Sequence, residues 1–340
     1  MEAPVVVALI GAVVSLLLGV INSYQARRLA RERVDTDREL ENLKTELHHI
    51  EKRQDARVEY EFEARKRLYA EIEPILFEVS HACEEVFNRV ANMAQASRNG
   101  NLGASATSWL MKGSDGYYRR STVYRLLRTA ALYQLTRRRM TQVDQRLDPN
   151  IAMRLDLLSL LSDMITLHFR LSSEPPSLQY QPYGSNPPLF QGVYSGHADN
   201  AALFLCDRFG SAEERVLTFG EFEQAWEDKK AVGWNSVGIV AALFDDFHPD
   251  GRPVLWRILL AMACSSYVLV ELAGPDVSDV SVSRVRELVD RFVQSPRAQQ
   301  IFGWYEATRN EPSRARTIDT ELSAIGCFIR SRVGQRDLLA

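Results

Sequence analysis

The sequence predicts an all-α protein with a single N-terminal transmembrane helix, a helical stalk carrying a coiled-coil seam, and a cytoplasmic helical-bundle body. Three observations predict this. Residues 3–21 carry no charge, and Arg27, Arg28, Arg31 and Arg33 follow directly. Apolar residues between Leu29 and Ile50 recur at alternating steps of four and three. From Phe62 onward the apolar residues keep a helical period, and the stripe widens to the breadth of a globular core.

The anchor comes first. At about 1.5 Å of rise per residue, the run PVVVALIGAVVSLLLGVI matches a hydrocarbon core of roughly 30 Å. A cleaved signal peptide would need a positive segment before the run and a small-x-small site after it. Glu2 is the only early side-chain charge, and VINSYQA lacks small residues at that spacing, so residues 3–22 are expected to stay as an anchor. The arginines beyond the span place the N-terminus outside and the body in the cytoplasm of a cell inner or plasma membrane. Cys83, Cys206, Cys264 and Cys327 show no paired spacing, which suits a reducing compartment. Gly11, Ser15 and Gly19 lie four apart and form a small-residue stripe on which two membrane helices can approach closely. Small residues are common in membrane helices, so chance also accounts for the stripe.

The stalk, 24–66, carries the seam Leu29, Arg33, Thr36, Leu40, Leu43, Leu47 and Ile50. Arg33 and Thr36 spoil its upstream half. Leu40, Leu43, Leu47 and Ile50 make about two good heptads, a marginal coiled coil by themselves. A membrane helix that pairs would hold the second copy at an effective concentration in the millimolar range, which is enough to close a weak seam. Acids and bases interleave from Tyr24 to Ala70, as on exposed helix faces laced with i to i+4 pairs rather than on a polybasic arm. A dimer or higher oligomer is expected; a single solvated helix packing back on the body is the alternative.

The first helical subdomain, 67–171, opens with the stripe Leu68, Ile72, Ile75, Leu76, Val79, Val86, Phe87 and Val90. Pro74 falls inside it and predicts a kink or break near Glu73. Glycines and serines from Ser97 to Gly116 predict a loop, with Trp109, Leu110 and Met111 able to dock part of it. Tyr117 to Arg146 then alternates four tyrosines with arginines, among them Arg137, Arg138 and Arg139. Interleaved aromatic and guanidinium groups suit an anionic ligand: a nucleotide, nucleic acid or lipid headgroup. The same segment carries the apolar stripe Val123, Leu126, Leu127, Ala130, Ala131 and Leu135, so the arginines are equally a solvated face paired with acidic helices elsewhere. At a net charge of −3 the chain has no overall bias toward polyanions, and nucleic acid is not an expected partner. Asp148 and Pro149 form an N-cap and N1 pair that starts a helix running to about Leu171.

Residues 172–199 hold five prolines and three glycines and read as a linker or functional loop, with Tyr180, Tyr183, Phe190 and Tyr194 arguing against a purely disordered tether. The second helical subdomain, 200–335, begins with AALFLCDRF as a short helix or strand. Thr218 stands as a cap for FGEFEQAWEDKKA, and Pro253 opens VLWRILLAMACSSYVLVEL. Ile258–Val270 is uncharged, but it is too short to span a bilayer and reads as a core helix. Helices near 282–293 and 318–333 complete the body.

The segments YYRRSTVYRLLRTAALYQLTRRRMTQVDQRLD and LYAEIEPILFEVSHACEEVFNRV resemble a family of helical proteins, largely actinobacterial, with a tyrosine-rich S-T-x-Y helix. The likeness is strongest over Leu68–Asp148 and departs from the family pattern around Phe204–Glu221. It implies an all-helical fold and a bacterial origin, and it carries no activity or site residue.

Chemistry is sparsely signalled. Asp245, Asp246, His248 and Asp250 in DDFHPDG hold ligand-type atoms, but the run also reads as a helix-ending turn before Pro253. His48 and His49 lie on the stalk, and His81 and His168 near apolar helix faces. There is no phosphate-binding glycine loop, G-x-S-x-G elbow, H-E-x-x-H or paired-cysteine site. No catalytic, cofactor-binding or metal residues are therefore expected, and no cofactor. The function predicted is a membrane-anchored, self-associating scaffold or signalling protein that binds an unidentified cytoplasmic protein. Gly11, Ser15, Gly19, Leu40, Leu43, Leu47 and Ile50 would make the self-contact. The alternative is a membrane-tethered sensor that binds an anion through Arg137, Arg138 and Arg139.

Overall fold

The computed structural model describes residues 3–103, 108–113, 116–140, 147–174, 177–181, 190–206, 214–228, 233–274, 280–296, 298 and 324–332. Nine α-helices are named among them: α1 (Ala3–Arg98), α2 (Tyr117–Arg139), α3 (Pro149–Asp163), α4 (His168–Ser173), α5 (Ser195–Phe204), α6 (Phe219–Glu227), α7 (Trp234–Ala242), α8 (Pro253–Leu272) and α9 (Val282–Gln294). Residues 324–332 are also helical, whereas the predicted start of that helix, 318–323, lies outside the described residues. The described residues contain no strand, only an isolated bridge between Cys206 and Val216. The protein is all-α.

The chain divides into two units, Met1–Ala64 and Arg65–Ala340. In the first unit every described side chain up to Tyr60 is exposed. Its helix is supported by i to i+4 ion pairs such as Arg28–Glu32 and Arg57–Glu61, both at 2.9 Å.

In the second unit α1 carries the predicted stripe from Leu68 onward: Leu68, Ile72, Ile75, Val79, Val86 and Val90 are buried, and Leu76 and Phe87 half-buried, whereas Phe62, expected to begin it, lies in the first unit and is 65% exposed. The expected break at Pro74 does not occur, and α1 runs through it. Pro74 is exposed, as is Ala70, whose carbonyl is the acceptor that the missing N–H would have used. Water reaches that carbonyl, so the lost bond is cheap here, while Ile72 and Ile75 on either side hold the helix to the core.

The helix predicted from Asp148 to Leu171 is interrupted. After α3 the chain tightens into a 3-10 turn, Met164–Thr166, and resumes as α4. The cause is tertiary: the amide of Val193 donates to the carbonyl of Ile165 at 3.2 Å, taking an acceptor that a continuous helix would use internally. The start of α3 follows the prediction, with Asp148 accepting from the amides of Asn150 and Ile151 and Pro149 at N1. The Thr218 cap is completed by Glu221 into a reciprocal capping box. Helix α5 begins at Ser195, inside the segment read from sequence as loop.

Helix α8 lies at the centre, packed by α3, α4 and α9. Among the described residues it alone is long and apolar enough to cross a membrane by length and composition, but 83% of its apolar window is buried inside the body. Its N-terminus is closed by Gln191, whose Oε1 accepts from the amides of Val254 at 2.8 Å and Leu255 at 3.4 Å. One apolar cluster runs from Ile75 to Ile329, and a smaller one joins Leu68 and Ile72 to Ile151 and Leu155.

Candidate functional site on the tyrosine and arginine helix

The stripe read from the sequence puts one face of α2 in the core, and Val123, Leu126, Leu127, Ala131 and Leu135 are buried there. The arginines of the other face reach acidic groups on several elements. Arg119 pairs with Asp245, Arg120 with Glu223 at 3.2 Å, and Arg128 with Glu85 at 2.8 Å. These partners lie between 43 and 126 positions away in the chain, so no local pattern announces them.

The three arginines singled out for anion binding sit at the C-terminal end of α2, where cations also favour the helix dipole. Arg138 pairs with Glu214, and Arg139 Nη2 donates to the Glu214 carbonyl at 2.8 Å. Arg137 is exposed and lies over the Tyr133 ring at 5.8 Å. The three thus form no common anion cradle, because two of them converge on one glutamate.

The DDFHPDG run closes a turn. Asp250 donates its amide to His248 Nδ1 at 3.2 Å, and Asp245 is held by Arg119. No cluster of three or more metal-ligating side chains occurs among the described residues. His81 faces Arg128 and Glu85 at the edge of the body. His168 is 1% exposed and lies among Phe169, Tyr180, Phe190 and Tyr194, with ring centroids 4.5–6.3 Å away. Cys83, Cys206 and Cys264 are buried, and Cys327 is exposed. Burial pushes the Cys83 thiol up to about 12, which leaves it unreactive.

Buried arginines are the feature that the sequence reading missed. Two of them, Arg252 and Arg257, and the half-buried Arg154 satisfy carbonyls at helix ends. Arg252 Nη1 donates to the carbonyls of Ala242 and Leu243 at the end of α7, Arg257 Nη1 to those of Leu171 and Glu174 at the end of α4, and Arg154 to that of Leu272 at the end of α8.

Arg89 on α1 does none of this. It is 6% exposed, and its Nη2 donates to the Ser121 hydroxyl at 2.8 Å. Its Nε and Nη1 are buried with no hydrogen-bond partner among the described residues. The guanidinium carbon lies 5.2 Å from the Trp109 ring centroid and 5.9 Å from that of Tyr118, and these two rings stack at 4.8 Å. Arg125 donates to the same Ser121 hydroxyl. Desolvation, and then the Arg125 charge, pull the Arg89 guanidinium down to about 10.

Comparison with protein-family models, with curated proteins and with solved structures finds no match.

Proposed function

We propose that the protein is a membrane-tethered scaffold or signalling component. It self-associates through the first unit of α1 and presents its helical body on the cytoplasmic side to a protein partner. The observation that carries this reading is the exposure of the apolar residues of that unit. Ile10, Val13, Val14, Leu16, Leu17, Leu18, Val20 and Ile21 are 48–70% exposed, and Leu40, Leu43, Leu47 and Ile50 are 49–59% exposed.

Water-soluble surfaces rarely leave contiguous apolar area of this size uncovered. Two covers fit the two stretches. The first belongs to the uncharged run of residues 3–21, whose length in the sequence suits a bilayer and which is followed by arginines that favour the inner face. The second is a polar helix with one apolar seam, which a parallel second copy would complete. On the small-residue stripe, a Cβ placed at Gly11 or Gly19 meets nothing within 4 Å, so that face is open to a neighbouring backbone.

Deleting residues 1–22 tests the anchor. The full chain should stay in the membrane pellet after a carbonate wash, and the shortened chain should move to the soluble fraction with its helical circular dichroism retained. A deletion variant that stays in the pellet would refute the anchor.

A further inference from the structure

We propose that Arg89, Arg125, Ser121 and the Trp109–Tyr118 stack form a binding site for a phosphate-type oxyanion, independent of the scaffold reading. The site lies at the opposite end of α2 from Arg137, Arg138 and Arg139.

Two guanidinium groups converge on one neutral oxygen, the Ser121 hydroxyl, which is itself fully buried. Like charges drawn to one small acceptor repel, and the local carboxylate does not settle both. Glu85 lies 3.7 Å from Arg125 and 2.8 Å from Arg128. Arg89 has no carboxylate within ion-pair distance among the described residues, and Glu85 acts on its charge only from farther away. Its two unpartnered donors, Nε and Nη1, leave different edges of the guanidinium, and either can give a single charge-assisted bond to an oxyanion.

A buried cation with two unused donors is costly. Elsewhere in this body the buried arginines Arg252 and Arg257 give Nη1 to carbonyls; Arg252 also leaves its Nε unpartnered, but Arg89 leaves both Nε and Nη1 so and bonds only a hydroxyl. The first turn of α2 adds to the field: it has no acidic residue, and Gly116 at its N-cap supplies no side-chain acceptor. Trp109, partly exposed on its short 3-10 turn, roofs the guanidinium, so an entering anion must displace that ring and change its surroundings.

The test is a titration of the detergent-solubilised full chain with inorganic phosphate at constant ionic strength, chloride serving as the control. Tryptophan emission and the melting midpoint are read together. Saturable change is expected in both, the midpoint rising with the logarithm of phosphate once the site fills. Trp109→Phe should abolish the emission change and keep the midpoint shift; Arg89→Gln should abolish both.

The same readings in nanodiscs with and without phosphatidic acid identify the source of the phosphate group. A response to lipid alone assigns it to a headgroup, and a response to free phosphate assigns it to a soluble ligand. If neither elicits a saturable response in the unaltered chain, the site is overturned. An emission change that survives Trp109→Phe, or a midpoint shift that survives in folded Arg89→Gln, also overturns it. Should Arg89→Gln fail to fold, the unaltered chain and Trp109→Phe decide alone.

Discussion

At the scale of the residue, the least forgiving contact in the body is between His168 and Gly192. A Cβ on Gly192 would stand 2.3 Å from His168 Nδ1, far inside van der Waals contact. Gly192→Ala should therefore destabilise the body by about 1–3 kcal/mol, the usual cost of overpacking. Adding His168→Ala should recover part of that loss, since the clash needs both side chains. Chemical denaturation of the four members of the cycle measures the coupling, and strict additivity would contradict the contact. His168 has a second consequence. Burial lowers its pKa, the Thr166 backbone pulling the other way without reaching hydrogen-bond geometry to either ring nitrogen. The unfolded chain then binds the proton more readily than the folded one. Stability is fully present above the ordinary histidine value of about 6.5 and falls as pH drops below it toward the folded value. His168→Phe should flatten the pH dependence of the melting midpoint just below 6.5; an unchanged slope would mean that His168 is not the group responsible. The sequence placed His168 near an apolar face, which was legible. Apart from the adjacent Phe169, the rings around it, and Arg89 under Trp109, were not, because they meet across intervening loops that carry no local signal of the contact.

At the scale of the element, the helix starts were the most legible features. A cap is a local signal: a short polar side chain, a proline or a glutamate at fixed offsets satisfies the first free amides whatever the rest of the fold does. Asp148 shows the reach of such a residue, because it caps α3 and also accepts from the Tyr69 hydroxyl of α1. Although burial pushes its carboxyl up, Tyr69 and the Ile151 and Asn150 amides hold it below the ordinary carboxylate value. That contribution is present above about pH 4 and is lost as pH falls through the folded value. Asp148→Ala should cost about 1–2 kcal/mol at neutral pH, while Asp148→Asn, which keeps a capping oxygen, should cost less. Equal losses in thermal unfolding would show that the cap is not what Asp148 supplies. Helix interiors and ends were less legible. The 3-10 interruption after α3 depends on the Val193 amide, and the continuity of α1 at Pro74 depends on which side of the helix meets water. Neither fact is written in the local sequence.

At the scale of the whole molecule, the body and the first unit spend their apolar residues differently. The body encloses them: α8, apolar enough to be mistaken for a span, is sheathed by its neighbours. The first unit leaves Leu40, Leu43, Leu47 and Ile50 exposed on a helix whose other faces are charged. Fully burying a leucine or isoleucine contributes about 1.5–3 kcal/mol, so four seam residues from each of two copies are enough to hold a short coiled coil together once anchors keep the copies near. The most direct test is the mass of the full-length protein in detergent, corrected for bound detergent, by light scattering. The unaltered chain is predicted to run as a dimer or a larger whole-number assembly, and Leu43→Asp with Leu47→Asp to run at a lower mass with its helical content intact. A single-chain mass for the unaltered protein, or an assembly indifferent to both aspartates, would contradict self-association through the seam.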